Sequence, residues 1–188
     1  MNTKKPDSQI TNNVYKPVFY RLNSDAEKAA FHNMTNTTFG EKHDTIHMQL
    51  VELLACRNPS MSKKEILDAG LVETHLGERD KTLDTYGVWV YYPWKNQVVH
   101  ILDEDEFIEV RTNRNKYKIT DEEQEILRSK KIGIAGLSVG RAVATTLVLE
   151  RVCGEIRLAD FDELELSNLN RIQARLSEMG MNKTVSAA

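Results

Sequence analysis

The chain has 188 residues, and 25 lysines and arginines against 28 aspartates and glutamates leave a formal charge of −3. Hydrophobic residues make up 40%, enough at this length to bury the core of one or two domains, and the charge balance argues against a general nucleic-acid binder, which would show a strongly basic domain or face. No apolar run nears the ~20 residues that span a bilayer, and Met1–Ile10 is polar, so neither a membrane partner nor a secretory leader is expected.

Residues 1–13, rich in Asn, Thr, Lys and Ser, predict a frayed tail. Residues 14–110 read as an α+β region of unknown role. Ser24 with Glu27 fits a capping box, in which hydroxyl and carboxylate each satisfy an orphaned backbone N–H, and Ser62 with Glu65 repeats it. Gly70 stands where the second of these helices would stop in a left-handed conformation. Between them, Ile46, Leu50, Leu53 and Leu54 recur at helical spacing and predict one helix over about 41–56. From Tyr86 the period changes to alternation: Val88, Val90 and Tyr92, a turn at Pro93–Asn96, then Val98–Leu102. This predicts a hairpin, followed by a short strand at Phe107–Val110.

The polar, basic stretch 111–120 marks a boundary, so that residues 111–188 form a second domain. Thr120 and Glu123 cap a helix over about 121–129. Ile132–Ala135 predicts a short buried strand, and a glycine turn follows. An apolar helix then runs from Ala142 to about Cys153 with Gly154 as its stop, and Ile156–Ala159 form the next strand. Strands joined by a crossover helix lie parallel. The expected fold class is therefore α/β, the first β-α-β of a Rossmann-like, doubly wound sheet, preceded by the smaller α+β region. Cys56 and Cys153 sit in no metal-spaced pair, so neither a metal site nor a disulfide framework is expected. As small buried hydrophobes with unpaired thiols they suit a reducing, cytoplasmic setting.

Gly136-Leu137-Ser138-Val139-Gly140 lies where strand hands over to helix. Backbone N–H groups and the positive end of the helix dipole make such a turn a phosphate cradle. The alternative is a glycine turn that only permits close strand–helix packing. Asp160, at the end of the second strand, is where an acidic side chain accepts hydrogen bonds from a ribose. Turn and acid in register favour a nucleotide.

The run Asp160-Phe161-Asp162-Glu163-Leu164-Glu165-Leu166-Ser167-Asn168-Leu169-Asn170-Arg171 resembles the D-x-D…S-N-L-N-R signature of the ThiF/MoeB and ubiquitin-activating-enzyme superfamily. Lys183 falls near the lysine that follows this arginine in the family, and the resemblance covers 114–188. It implies binding of ATP with Mg²⁺ and adenylation of a carboxylate, on a ubiquitin-like protein or a small acceptor, with release of pyrophosphate. Gly136, Ser138, Gly140, Asp160 and Asp162 would then bind the nucleotide, with Asp160 on the ribose. Asn168 and Arg171 would contact the triphosphate, and Lys183 would neutralise charge as the α-phosphate is attacked; Arg171 and Lys183 are the expected catalytic pair. The resemblance also implies a homodimer in which an upstream arginine, here Arg111 or Arg114, serves the partner's site. The Mg²⁺ ligand would lie beyond Ala188. A bacterial subgroup with an uncharacterised region ahead of such a domain has this layout.

Three departures keep other readings open. The middle glycine of the turn is absent, Ile172 stands where the family commonly has Gln, and the resemblance ends within a helix. A dinucleotide-dependent (NAD or FAD) oxidoreductase also uses a glycine turn and a strand-end Asp, though it has no need of Arg171 and Lys183. A degenerate module that only binds nucleotide or a partner is the third reading. Two decoys remain. His43-Asp44-Thr45-Ile46-His47 echoes a zinc-peptidase helix with Asp for the Glu base and without a third ligand. Trp89, Tyr91, Tyr92 and Trp94 suit alternating burial in a hairpin better than base stacking.

Overall fold

The computed structural model describes residues 15–38, 40–116 and 118–188, so the tail expected over 1–13 lies outside the described residues. Two compact units emerge, Pro17–Lys118 and Ile119–Ala188, the latter with Tyr15 and Lys16. Sequence patterning set the boundary at 110/111; the backbone carries the first unit on to Lys118.

In chain order the first unit comprises β1 (Val18–Tyr20), α1 (Asp25–Thr38), β2 (Glu41–Asp44), α2 (Ile46–Arg57), α3 (Lys63–Asp68), α4 (Leu71–Gly77), β3 (Val88–Tyr92), β4 (Gln97–Ile101) and α5 (Glu104–Thr112). Its sheet has the order β1-β3-β4-β2. The β3–β4 hairpin is antiparallel with Val90 opposite Val99, and β2 joins β4 in parallel. Phe31 and Met34 of α1 bury against Trp89 and Val98. Ile46, Leu50, Leu53, Ile66, Val72, Tyr86 and Leu102 form a second cluster.

Local chemistry explains the starts. Ser62 Oγ accepts from Glu65 N at 3.2 Å while Glu65 Oε2 accepts from Ser62 N at 2.8 Å, and the same reciprocal pair joins Ser24 and Glu27. Gly70, with φ +63°, ends α3 and opens α4.

Two expectations are corrected. The helix predicted over 41–56 begins only at Ile46. Residues 41–44 are drawn into a strand by β4, and Thr45 closes it by donating from Oγ1 to His100 O at 2.7 Å. Asp44 Oδ1 then accepts from Ile46 N at 3.3 Å. Phe107–Val110 is helix and not strand. Asp103 caps α5 by accepting from Glu104 N at 2.8 Å, three acids fill the first turn, and Arg21 locks the cap with bonds of 2.6 and 2.8 Å. Negative charge at a helix N-terminus outweighs the β-preference of four apolar-rich residues.

The second unit comprises α6 (Asp121–Arg128), β5 (Lys131–Ala135), α7 (Gly140–Glu150), β6 (Glu155–Ala159) and α8 (Lys183–Ala187), with 3-10 turns at Leu166–Asn170 and Leu176–Glu178. Strands β5 and β6 are parallel, from Lys131 opposite Glu155 to Ala135 opposite Ala159, with α7 as the crossover. Strand β5 is not fully buried as expected; Ile132 and Ile134 are half-buried and their neighbours exposed. Helix α7 stops at Glu150, short of Cys153, because Arg151 takes the left-handed cap at φ 53°. Gly154 serves packing instead: a Cβ there would lie 2.0 Å from Arg128 O. Among the described residues no helix is long and apolar enough to cross a membrane.

Candidate functional site

The site is built where β5 turns into α7. Gly136 N donates to Ala159 O at 2.8 Å, which carries the parallel ladder one step past the strands. Gly136 then takes φ +83°, a conformation that Cβ-bearing residues avoid. Gly140 is required for a different reason, since a Cβ would meet Ile134 Cγ2 at 2.8 Å. One glycine shapes the loop and the other lets the helix sit against the strand. The missing middle glycine is Ser138, and its hydroxyl has a use described below.

Asp160 organises this turn from the neighbouring strand end. Its Oδ2 accepts from Leu137 N at 2.6 Å and its Oδ1 from Asp162 N at 2.9 Å. The Leu137 and Asp162 N–H groups hold its carboxyl below the usual carboxylate range. Leu137 itself is fully buried, so the backbone amide that Asp160 receives is fixed in place. Beyond β6, Asn182 Nδ2 donates to Asp160 O at 3.2 Å and Asn182 Oδ1 accepts from Thr184 N at 2.8 Å. This cap starts α8 with Lys183 as its first residue.

Lys183 is only 4% exposed. Its Nζ donates to Asp162 Oδ2 at 2.6 Å and reaches Ser138 Oγ at 3.4 Å. Ser138, Asp160, Asp162 and Lys183 are thus brought to one place on the glycine turn, although Lys183 lies 45 positions from Ser138. A buried ammonium stands beside a half-exposed carboxylate and a hydroxyl where the glycine turn leads into α7.

The remaining predicted residues are engaged elsewhere. Asn168 is buried, and its Oδ1 accepts from Glu165 N at 3.1 Å, so it braces the 3-10 turn. Arg171 is exposed and donates from Nη1 to Asn170 Oδ1 at 2.9 Å. Ile172 is buried at 3% exposure, so a branched aliphatic side chain packs where a glutamine would carry an amide. Arg111 lies in α5 and Arg114 in the 3-10 turn after it, both exposed in the first unit. The histidine decoy dissolves, since His43 is on β2 and His47 on α2. Trp89 is buried and stacks on His100 with centroids 3.9 Å apart. Among the described residues no group of three or more His, Cys, Asp or Glu could hold a metal ion.

A parallel strand pair, a glycine turn braced by a strand-end aspartate and a distant lysine folded back onto that turn are now in view. Residues 111–188 match the model of the ThiF family. The ThiF-family segment thus includes the whole of the second unit's strands, its glycine turn and Lys183. A second likeness is to the "Uncharacterized protein MT1398" of Mycobacterium tuberculosis, 50% identical over 100 residues, which are 53% of this chain and 14% of that protein. The chain therefore spans only a small part of the relative it matches. No solved structure matches the chain.

Sequence reasoning missed one residue that borders the ThiF-family turn. Arg141, directly after Gly140, donates from Nη1 to Ser186 Oγ at 2.7 Å and from Nη2 to Ser186 O at 3.0 Å. Its signal was a lone arginine on the first turn of a largely apolar helix.

Proposed function

We propose that the ThiF-family segment is the nucleotide-binding opening of an ATP-dependent adenylyltransferase domain with a doubly wound sheet. The domain acts in the cytoplasm and transfers AMP to the carboxylate of a ubiquitin-like protein or small acceptor. In this reaction a carboxylate oxygen bonds to the α-phosphorus, the bond to the β-phosphate oxygen breaks, and pyrophosphate leaves with the electron pair. The observation that carries the reading is Lys183 Nζ, buried between Asp162 and Ser138 of the glycine turn.

The residues present fit a nucleotide. A Cβ at Gly136 would meet nothing within 4 Å, so the turn faces open space that a phosphate can enter. The turn's amides and the α7 dipole favour anionic oxygens. Lys183 supplies a point charge and Arg171, if it swings from Asn170, a planar fork for two phosphate oxygens. Asp160, ionised by its two backbone donors, retains lone pairs for a ribose hydroxyl. Mg²⁺, when bound, would neutralise phosphate charge in such a reaction. Preorganised cations of this kind lower the barrier where charge accumulates, and loss of one donor costs on the order of 3 kcal/mol. A homodimer lending Arg111 or Arg114 to the partner's site belongs to the same proposal.

ATP–pyrophosphate exchange by the intact protein tests it. Exchange should be present and should fall roughly 10²-fold in Arg171→Ala and in Lys183→Ala. Exchange surviving both substitutions, or tight NADH binding without exchange, overturns the assignment.

A further inference from the structure

We infer that Arg141 is the positioning residue that holds Lys183 at the glycine turn. Lys183 is the first residue of helix α8, and the helix must present Lys183 Nζ within reach of Ser138 on another element. Its first end is tied by Asn182 to Asp160 O. Three residues past Lys183 it is tied by Arg141, whose guanidinium takes both the hydroxyl and the carbonyl of Ser186. Ser186 Oγ in turn donates to Glu178 Oε2 at 2.7 Å, which fixes the hydroxyl so that its lone pair faces Arg141. Because Arg141 stands one residue past Gly140, the clamp joins α8 to the very helix whose N-terminus makes the turn. The clamp therefore couples the position of the lysine to that of the turn. The planar fork suits this task and a lysine at 141 would not, since it cannot meet two acceptors in a fixed geometry.

The two donors that Arg141 spends on Ser186 point toward α8, so its effect on catalysis passes through Lys183. A misplacement of about 1 Å in a catalytic group costs on the order of 10²-fold in rate, and residues that act through one another lose activity non-additively. The catalytic consequence rests on the adenylyltransferase reading; the positioning itself does not.

The experiment therefore has two arms on the intact protein. In the first, lysine acetylation by an N-hydroxysuccinimide ester under native conditions is followed by mass spectrometry. Lys183 should be protected in the wild type and labelled at least about 10-fold faster in Arg141→Ala. Ser186→Ala should give a smaller rise, and amide hydrogen exchange along Ile132–Ala135 should be unchanged as the check against unfolding. In the second arm, Arg141→Ala should lower kcat for ATP–pyrophosphate exchange about 10²-fold, Arg141→Lys should rescue little, and Arg141→Ala/Lys183→Ala should be no slower than Lys183→Ala alone. Unchanged Lys183 protection in Arg141→Ala and Ser186→Ala overturns the inference, as do additive losses in the double variant, which would mark Arg141 as a direct phosphate ligand. If wild-type exchange is absent, the adenylyltransferase reading fails, and the labelling arm still decides the clamp.

Discussion

The Lys183–Asp162 pair is asymmetric, and the asymmetry can be measured. The Lys183 side chain is 5% exposed and that of Asp162 50% exposed. Removing Asp162 strands an ammonium in the interior with, among the described residues, only the Ser138 hydroxyl at 3.4 Å, and an uncompensated buried charge costs about 3–5 kcal/mol. Removing Lys183 as Lys183→Met keeps most of the apolar stem and leaves Asp162 to water, so the loss is limited to the value of a half-exposed pair, about 1 kcal/mol or less. Asp162→Ala should therefore destabilise the 119–188 unit by at least 2 kcal/mol more than Lys183→Met, a factor of about 30 in an equilibrium constant. Both tryptophans lie in the first unit, so fluorescence would miss the effect. Amide hydrogen exchange along Ile132–Ala135 and Ile156–Ala159 reports it directly. If Lys183→Met loses as much protection as Asp162→Ala, the ammonium is not confined as described.

Gly154→Ala should drive a methyl into Arg128 O; overpacking against backbone costs about 1–3 kcal/mol, so circular dichroism should show the melting temperature of the 119–188 unit lowered by roughly 4 °C or more. Burial, reinforced by the Arg79 guanidinium, depresses the His75 imidazole below its ordinary value of 6.5. Between the two values the unfolded chain binds more protons, so the stability of the first unit is full above about pH 7 and falls as pH drops through 6.5. Urea midpoints read by tryptophan fluorescence from about pH 7.5 down to about pH 5.5 should decline in the wild type and flatten in His75→Gln; an unchanged slope in the variant would assign the decline to other groups.

Legibility in the sequence followed how local each cause was. The three capping boxes act over three residues and all formed as read. The strand–glycine turn–helix–strand pattern was equally plain, because apolar runs and punctuating glycines are properties of short windows. Strand β2 was not legible: Glu41-Lys42-His43-Asp44 is polar and exposed along its whole length, and only its partner β4 makes it a strand. Phe107–Val110 misled because an apolar-rich run outvoted the aspartate cap four residues before it. In the site, the approach of Lys183 to the turn was expected from a resemblance and not from spacing, and the Arg141–Ser186 clamp joins residues 45 apart with no shared pattern. The middle glycine looked like a defect, whereas Ser138 gives Lys183 an oxygen that glycine lacks.

The parallel pairing of β2 with β4 has a consequence for how the first unit assembles. Hairpin β3–β4 closes over a four-residue turn and belongs to the microsecond class of events. Glu41 must find Gln97 across an intervening chain that holds three helices, and its carboxylate reaches that partner at a separation of 56 residues. Closing so large a loop is entropically costly until a template exists. The order of events is then hairpin first and the pairing of β2 after it, with the outer rim of β4 waiting unpaired in the interval.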